Sequence, residues 1–135
     1  MIKSKPKSTA TLIAELDTVF SLWIRYRDTD SFGYGNCITC GRRIYYKDGD
    51  CGHGVVRHHI ATRFDERNCA LQCRECNRFE GGKQEVFAQA VDKKHGPGTW
   101  ATLQTLSRST FKLTRPEIEE MVQYYKDKVQ SIKKI

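Results

Sequence analysis

Two Cys-x-x-Cys pairs could bind a metal ion through four thiolates: Cys37 with Cys40, and Cys73 with Cys76. Four soft sulfur ligands arranged in two such pairs are typical of a closed, tetrahedral structural zinc site. A redox dithiol or an iron–sulfur cluster is less well matched, because neither pair opens a helix beside a βαβ pattern. The sequence therefore predicts a structural zinc ion held by these four cysteines.

The insert between the two pairs is longer than in an ordinary zinc ribbon. Thirty-two residues lie between Cys40 and Cys73, whereas a ribbon has about 15 to 20. Long segments without regular structure in a compact domain are usually functional. We expect zinc to fix both ends of this insert and to orient it.

Residues in and beside the insert could hydrolyse a phosphodiester. That reaction needs a base to activate water, a divalent cation and cationic groups that hold the backbone. His53 is a candidate base, and Asp50 and Asn77 are candidate oxygen ligands for a hard cation. Candidate phosphate contacts are Arg57, Arg63, Arg67 and Arg78.

Each of these residues also has a plainer interpretation. His53 could be a structural histidine, Asp50 a turn residue and Asn77 a helix cap. The arginines could form a solvated face. Their joint placement around the zinc pairs is what favours the chemical interpretation.

Helices are predicted on both sides of this region. Apolar residues recur at helical spacing over residues 9–28. A second helix over 84–95 ends at Gly96-Pro97-Gly98, and a shorter one covers 99–106. Thr114-x-x-Glu117 is a capping box that starts a last helix reaching about Val129.

The segment between these helices is predicted to form short strands and loops. Residues 44–46 are β-prone, residues 51–53 begin an extended segment and residues 68–72 form a second strand. Residues 54–67 lack a clear period and predict a long loop, and residues 1–8 predict a loose arm. We expect a single α+β domain over 1–135, with a helix at 9–28, a zinc-knuckle core at 37–82 and C-terminal helices at 83–131.

Composition narrows the class of protein. The 135 residues carry 23 Lys and Arg against 16 Asp and Glu, a net charge of +7 that suits a polyanionic partner. No apolar run is long enough for a membrane span, and no signal sequence is recognisable, so we expect a cytoplasmic protein without a membrane partner. In that reducing compartment the two unpaired cysteines, Cys51 and Cys69, are expected to be small buried residues.

The spacing of these residues resembles that of the HNH nucleases: Cys-x-x-Cys, Gly52-His53, Asn68 and Cys73-x-x-Cys76-Asn77. The chain is more closely similar to the phage NinG family, also called Rap recombination proteins, from about residue 16 to about residue 130. The blocks that carry this resemblance are Leu16-Asp17-x-Val19-Phe20-Ser21-x-x-Ile24-Arg25-x-Arg27-Asp28, Asp50-Cys51-Gly52-His53, Arg57-x-His59-x-Ala61-Thr62-Arg63-Phe64-Asp65-Glu66-x-Asn68 and Gln72-Cys73-x-x-Cys76-Asn77-Arg78-Phe79-x-Gly81-Gly82.

The resemblance implies a zinc-stabilised ββα-metal core, flanked by helices, in an endonuclease of the bacterial host cytoplasm that cuts branched DNA such as Holliday junctions or D-loops. By position, His53 is the general base, Asn68 braces the loop that carries it and Asn77 is the ligand on the helix. Mg²⁺ or Mn²⁺ would be the catalytic ion. DNA contacts are expected from Arg25, Arg27, Arg57, Arg63, Arg67, Arg78 and Lys83.

The chain departs from the HNH pattern at the position before the base. Most HNH enzymes have an Asp or His ligand there, and this chain has Gly52. We assign the ligand role to Asp50, with His59 as an alternative that the sequence does not rank against it. Gly54 and Ala70 also stand where relatives are expected to have an aromatic and a polar residue.

Other functions stay open at this point. A zinc-stabilised DNA-binding module without catalysis would explain the charge and Gly52, and a zinc knuckle that binds another protein would need no DNA. Two symmetric cuts at a junction would suit a homodimer. Other phage recombination proteins would be further partners.

Overall fold

Helix α1, Thr9–Arg27, opens the fold in a computed structural model that describes residues 5–132 and 134. Residues 1–4 of the predicted arm lie outside the described residues, and residues 5–8 precede α1 without regular structure. The Ser8 side chain accepts a hydrogen bond from the Thr11 N–H and caps the helix. Every fourth residue of α1 is buried on one face: Leu12, Leu16, Phe20 and Ile24.

The last helix, α5 (Arg115–Ser131), packs along α1. The predicted capping box is present, because the Thr114 side chain and Glu117 bond each other's backbone N–H groups. The Phe20 ring of α1 stands edge-on to Tyr125, with ring centres 5.0 Å apart, and to Phe64 of the insert at 5.5 Å. These rings join the two outer helices to the segment between them, and burying each contributes about 1.5–3 kcal/mol.

Two small antiparallel sheets follow α1 in the chain. Strands β1 (Tyr34–Asn36) and β2 (Arg43–Tyr45) pair across the first Cys-x-x-Cys turn. Strands β3 (Gly49–His53) and β4 (Cys69–Cys73) pair with Gly49 opposite Cys73 and His53 opposite Cys69. The predicted mixed α+β class is confirmed.

The part of the insert that lies between β3 and β4, residues 54–68, is more ordered than the predicted loop. It contains a short helix α2 (Ile60–Arg63) and a 3-10 turn (Glu66–Asn68). Neither segment is long enough to show a helical period in the sequence, which is why the prediction of a structureless loop was wrong here. Strand β4 is followed by a π-helical turn, Glu75–Phe79, that carries Cys76 and Asn77.

Helices α3 (Gln84–His95) and α4 (Thr99–Ser107) cover the other side of the insert. Phe87 and Val91 of α3 pack with Leu103 of α4 and with Val55 of the insert in a second core cluster. Gly96 ends α3 with a φ of 109°, as the glycine-rich stop predicted. No helix among residues 5–132 is both long and apolar enough to cross a membrane.

The end of α1 is tied to β4 by one ion pair. Arg27 binds the Asp28 carboxylate at 2.8 and 3.0 Å and donates to the carbonyls of Glu66 (2.9 Å) and Cys69 (2.7 Å). Asp28 in turn accepts the Leu71 N–H at 2.9 Å. Burial alone would raise the pKa of Asp28, but its bonds to Arg27 and the Leu71 N–H, together with the charge of Lys94, outweigh burial and lower that pKa.

Candidate metal centre and catalytic cleft

The four paired cysteines converge in the structure. The sulfur atoms of Cys37, Cys40, Cys73 and Cys76 all lie within 4.8 Å of one another. Cys40 Sγ and Cys73 Sγ are 3.8 Å apart, which matches the edge, about 3.8 Å, of a tetrahedron of sulfurs around zinc. These residues therefore fit a zinc ion as the spacing predicted.

Hydrogen bonds favour the thiolate at two of the four cysteines, because the pKa values of Cys37 and Cys73 are both lowered. Burial raises the pKa of Cys76, and although the Arg42 N–H lowers the pKa of Cys40, burial and the neighbouring sulfurs raise it to about 11. Burial raises the pKa of the Cys37 thiol, yet hydrogen bonds, mainly from backbone N–H groups, outweigh burial and bring its pKa to about 6. The Cys76 N–H points at Cys73 Sγ from 3.4 Å. The Cys76 sulfur raises the pKa of Lys83. Lys83, which was predicted to contact DNA, thus stands beside the cysteine cluster.

A cleft of about 460 Å³ runs between α1, β3 and the π-helical turn. Its lining includes His53, Asp50 and Asn77, so the structure brings the predicted base and two of the predicted ligands to one place. Five cationic side chains share the lining: Arg25, Lys47, Arg57, Arg74 and Arg78. Lys47 and Arg74 were not singled out from the sequence, because charge alone does not mark which cations converge.

His53, at the end of β3, is held in one orientation. Its Nε2 atom lies 2.9 Å from the carbonyl oxygen of Arg63. A carbonyl can only accept, so Nε2 carries the hydrogen and Nδ1 is the basic nitrogen. Burial lowers the pKa of His53 and the neighbouring Arg57 lowers it further. The neutral ring required of a general base is thus the favoured form at neutral pH.

Asp50 and Asn77 are in direct contact. Asn77 Nδ2 donates to Asp50 Oδ2 at 2.9 Å, which joins the start of β3 to the π-helical turn. Two oxygen ligands at adjacent corners of a Mg²⁺ octahedron are about 2.9 Å apart, so rotating the Asn77 amide would offer a suitable pair. Arg78 also binds both Asp50 oxygens at 2.9 Å, and a cation would compete with it.

Asn68 is completely buried and spans the base of the insert. Its Oδ1 accepts the Val55 N–H at 2.8 Å, and its Nδ2 donates to the carbonyls of Val55 (3.0 Å) and Thr62 (3.2 Å). Val55 follows His53 by two residues and Thr62 precedes Arg63. The contacts fit the bracing position that the resemblance implied.

Asp17 lines the cleft from α1 and forms ion pairs that hold the insert in place. It pairs with Arg63 through Arg63 Nε at 3.0 Å and a second, shorter contact, and with Arg57 at 3.3 Å. Since the Arg63 carbonyl binds His53, Asp17 positions the His53 ring through the insert. The sequence offered no signal for this, because the partners lie 46 residues apart.

Several predicted site residues lie elsewhere. His59 lines a separate depression with Trp100 and Gln104, so the structure does not bring it to Asp50 and Asn77. Arg27 has its guanidinium bound within the fold, a use that the sequence did not indicate. Arg67 pairs with its neighbour Asp65 at 2.8 Å.

The arginines in and beside the cleft differ in how exposed their side chains are and in which groups of the fold they bind. Arg25 reaches the Tyr46 carbonyl at 2.8 Å from within the cleft lining. Arg63 is only 18% exposed beside Asp17, whereas Arg57 and Arg78 are 63% and 57% exposed. Of the arginines predicted to contact DNA, Arg57 and Arg78 therefore line the cleft with the most exposed side chains.

Packing explains why glycine stands at positions 52 and 54, where relatives are expected to have larger residues. A Cβ atom at Gly52 would lie 2.3 Å from Gln72 Oε1 and 2.9 Å from Gln72 Cβ. Gln72 is fully buried and bonds Thr39 and the Gly82 carbonyl, so it has little room to move. A Cβ at Gly54 would lie 2.6 Å from the Trp100 ring, so an aromatic from α4 already occupies that space.

One comparison with known proteins identifies a relationship. A family model described as Bacteriophage Lambda NinG protein matches residues 1–135. No curated protein and no solved structure gives a significant match to the chain.

Proposed function

The chain belongs to the family of the bacteriophage lambda NinG protein, and from that premise we propose that it is an endonuclease of phage recombination that hydrolyses a phosphodiester of branched DNA. One observation carries the proposal. A neutral histidine, oriented by a carbonyl, lines a cationic cleft together with a carboxylate and an amide.

In the proposed reaction His53 Nδ1 takes a proton from a water molecule. The resulting hydroxide attacks the phosphorus and the bond from phosphorus to the 3′ oxygen breaks. The 3′ oxygen takes a proton from solvent, so the cut leaves a 3′ hydroxyl on one strand end and a 5′ phosphate on the other. Arg57 and Arg78 hold the phosphate oxygens. A divalent cation held by Asp50 and Asn77 would stabilise negative charge on the phosphate and on the leaving oxygen.

The elements around the cleft support an HNH-like core. Strands β3 and β4 form the hairpin, and the π-helical turn stands in place of the helix that carries the second ligand. Cys73 ends β4 and Cys76 directly precedes Asn77. Zinc at these cysteines would therefore hold the hairpin and the turn in register.

Binding to DNA would be mainly electrostatic. Five cations against two carboxylates in the cleft lining predict affinity that falls steeply as salt concentration rises. Selectivity for branched over linear DNA would come from shape rather than base contacts. A homodimer would place two clefts at the two symmetric cuts of a junction.

Cleavage of a synthetic four-way junction with Mg²⁺ or Mn²⁺ tests the proposal. The native protein should cut the junction in preference to linear duplex, and His53→Ala should lose at least about a hundredfold in rate. His58→Ala is the matched control, because that histidine lies outside the cleft lining, and it should cut normally. Equal cleavage by His53→Ala and the native protein would remove His53 as the base.

A zinc-stabilised DNA-binding module is the second candidate. The observation that favours it is the pairing of Arg78 with both Asp50 oxygens, which occupies the proposed ligand. This candidate predicts salt-sensitive binding of the junction, measured by filter binding, with no cleavage in any divalent metal. Binding that is indifferent to salt would contradict both candidates.

A further inference from the structure

Three potential metal ligands outside the zinc cluster share one face of the β3–β4 hairpin. Cys51 and His53 are two residues apart on β3 and so point to the same side. Cys69 lies directly opposite His53 on β4. The two sulfur atoms and a histidine ring nitrogen all lie within 4.8 Å of one another.

This donor set suits a soft cation. Around a tetrahedral zinc ion two sulfurs are about 3.8 Å apart and a sulfur and a nitrogen about 3.5 Å apart. Since the three atoms lie within 4.8 Å of one another, each distance would shorten by about 1.3 Å or less to close the site. Two thiolates and an imidazole favour Zn²⁺ or Cd²⁺ over the hard ions Mg²⁺ and Mn²⁺. The set therefore differs in kind from the oxygen ligands Asp50 and Asn77.

The site is open on one side. Cys69 is buried in the main core, but Cys51 and His53 both line the cleft. A cation could enter from the cleft, and a water molecule could complete its coordination. We infer that Cys51, His53 and Cys69 form a second metal site, for a thiophilic divalent cation bound through two thiolates, one imidazole and one water.

A metal ion bound at this site would prevent His53 from acting as a base, a consequence that rests on the proposed function. Coordination through Nδ1 would occupy the basic lone pair directly. Coordination through Nε2 would break its bond to the Arg63 carbonyl and shift the ring hydrogen to Nδ1. Either nitrogen gives the same result, and the two thiols release their protons to solvent. Excess soft metal is thus an inhibitor.

Metal counting tests the site without reference to activity. Native protein, Cys51→Ala and Cys69→Ala would be dialysed against buffered Zn²⁺ and analysed for bound zinc, after circular dichroism confirms that each is folded. The native protein should hold a second zinc that both variants bind at least about tenfold more weakly. His58→Ala is the control for surface histidines and should keep it. An equal zinc count in all four proteins would overturn the inference.

An inhibition assay then tests the link to His53. Added Zn²⁺ should slow junction cleavage by the native protein at least about tenfold more than cleavage by Cys69→Ala. Equal inhibition of the two would overturn the assignment of inhibition to this site. Absence of cleavage even without added Zn²⁺ would contradict the proposed nuclease, and the zinc count would still decide the metal site.

Discussion

Replacing Asn68 with alanine should loosen the insert that positions His53. The substitution removes three hydrogen bonds at once: one from the Val55 N–H, and one each to the Val55 and Thr62 carbonyls. Because Asn68 is fully buried, water does not replace these partners without opening the structure.

The expected loss of stability follows from the orphaned groups. A buried N–H without a partner costs about 1–3 kcal/mol, and the two carbonyls and the vacated space add to this, so we expect about 3 kcal/mol in total. For a chain of this length that loss lowers Tm by about 10 °C.

Asn68→Asp separates hydrogen bonding from volume. The carboxylate keeps an acceptor for the Val55 N–H but faces two carbonyl oxygens, so its pKa should rise above the usual aspartate value. Since the folded-state pKa is raised, its proton stabilises the fold at low pH, and stability should fall as pH rises through that pKa.

Urea denaturation of both variants and hydrogen exchange at the Val55 amide would measure these effects. Asn68→Ala should expose the Val55 amide to faster exchange than the amides of β3. Destabilisation below about 1 kcal/mol with unchanged Val55 protection would refute the reasoning.

The remaining predictions concern the proposed base, the residue that positions it and the four-cysteine cluster. Because the pKa of His53 lies below its usual value of 6.5, the junction cleavage rate should be level above that pH and fall only in more acidic solution; an inflection above 6.5 would contradict the assignment. Asp17→Asn weakens the ion pair that positions the insert and should lower kcat about tenfold with little change in KM, and a change in KM alone would argue against positioning. Cys73→Ser should lose its structural zinc and the far-UV circular dichroism of the folded protein, whereas Cys51→Ser should keep its structural zinc. A Cys73→Ser protein that is folded without zinc would contradict the zinc assignment.

Local patterns in the sequence were enough to predict the outer helices and the cluster of four cysteines that could hold zinc. The period of Leu12, Leu16 and Phe20 marks α1, and the Thr114 capping box marks the start of α5. Such signals arise within one or two turns of chain, so they are readable without the fold.

Contacts between distant segments were beyond those patterns. The Asp17–Arg63 pair, the inward turn of Arg27 and the placement of His59 away from the cleft all depend on how the insert packs between α1 and α4. A side-chain hydrogen bond across 40 residues leaves no period or spacing in the sequence. The sequence could therefore propose which residues do chemistry but not which residues hold them.

The close approach of Gly52 to Gln72 bears on how this site could evolve. An aspartate at position 52, where most HNH enzymes have a ligand, would need Gln72 to shrink first, since the new Cβ meets that side chain at 2.3 Å. Shrinking Gln72 alone gives up its bonds to Thr39 and Gly82. Each single change is thus unfavourable on its own, and shrinking Gln72 removes the clash that the aspartate would meet, so the effects of substitutions at positions 52 and 72 should be non-additive.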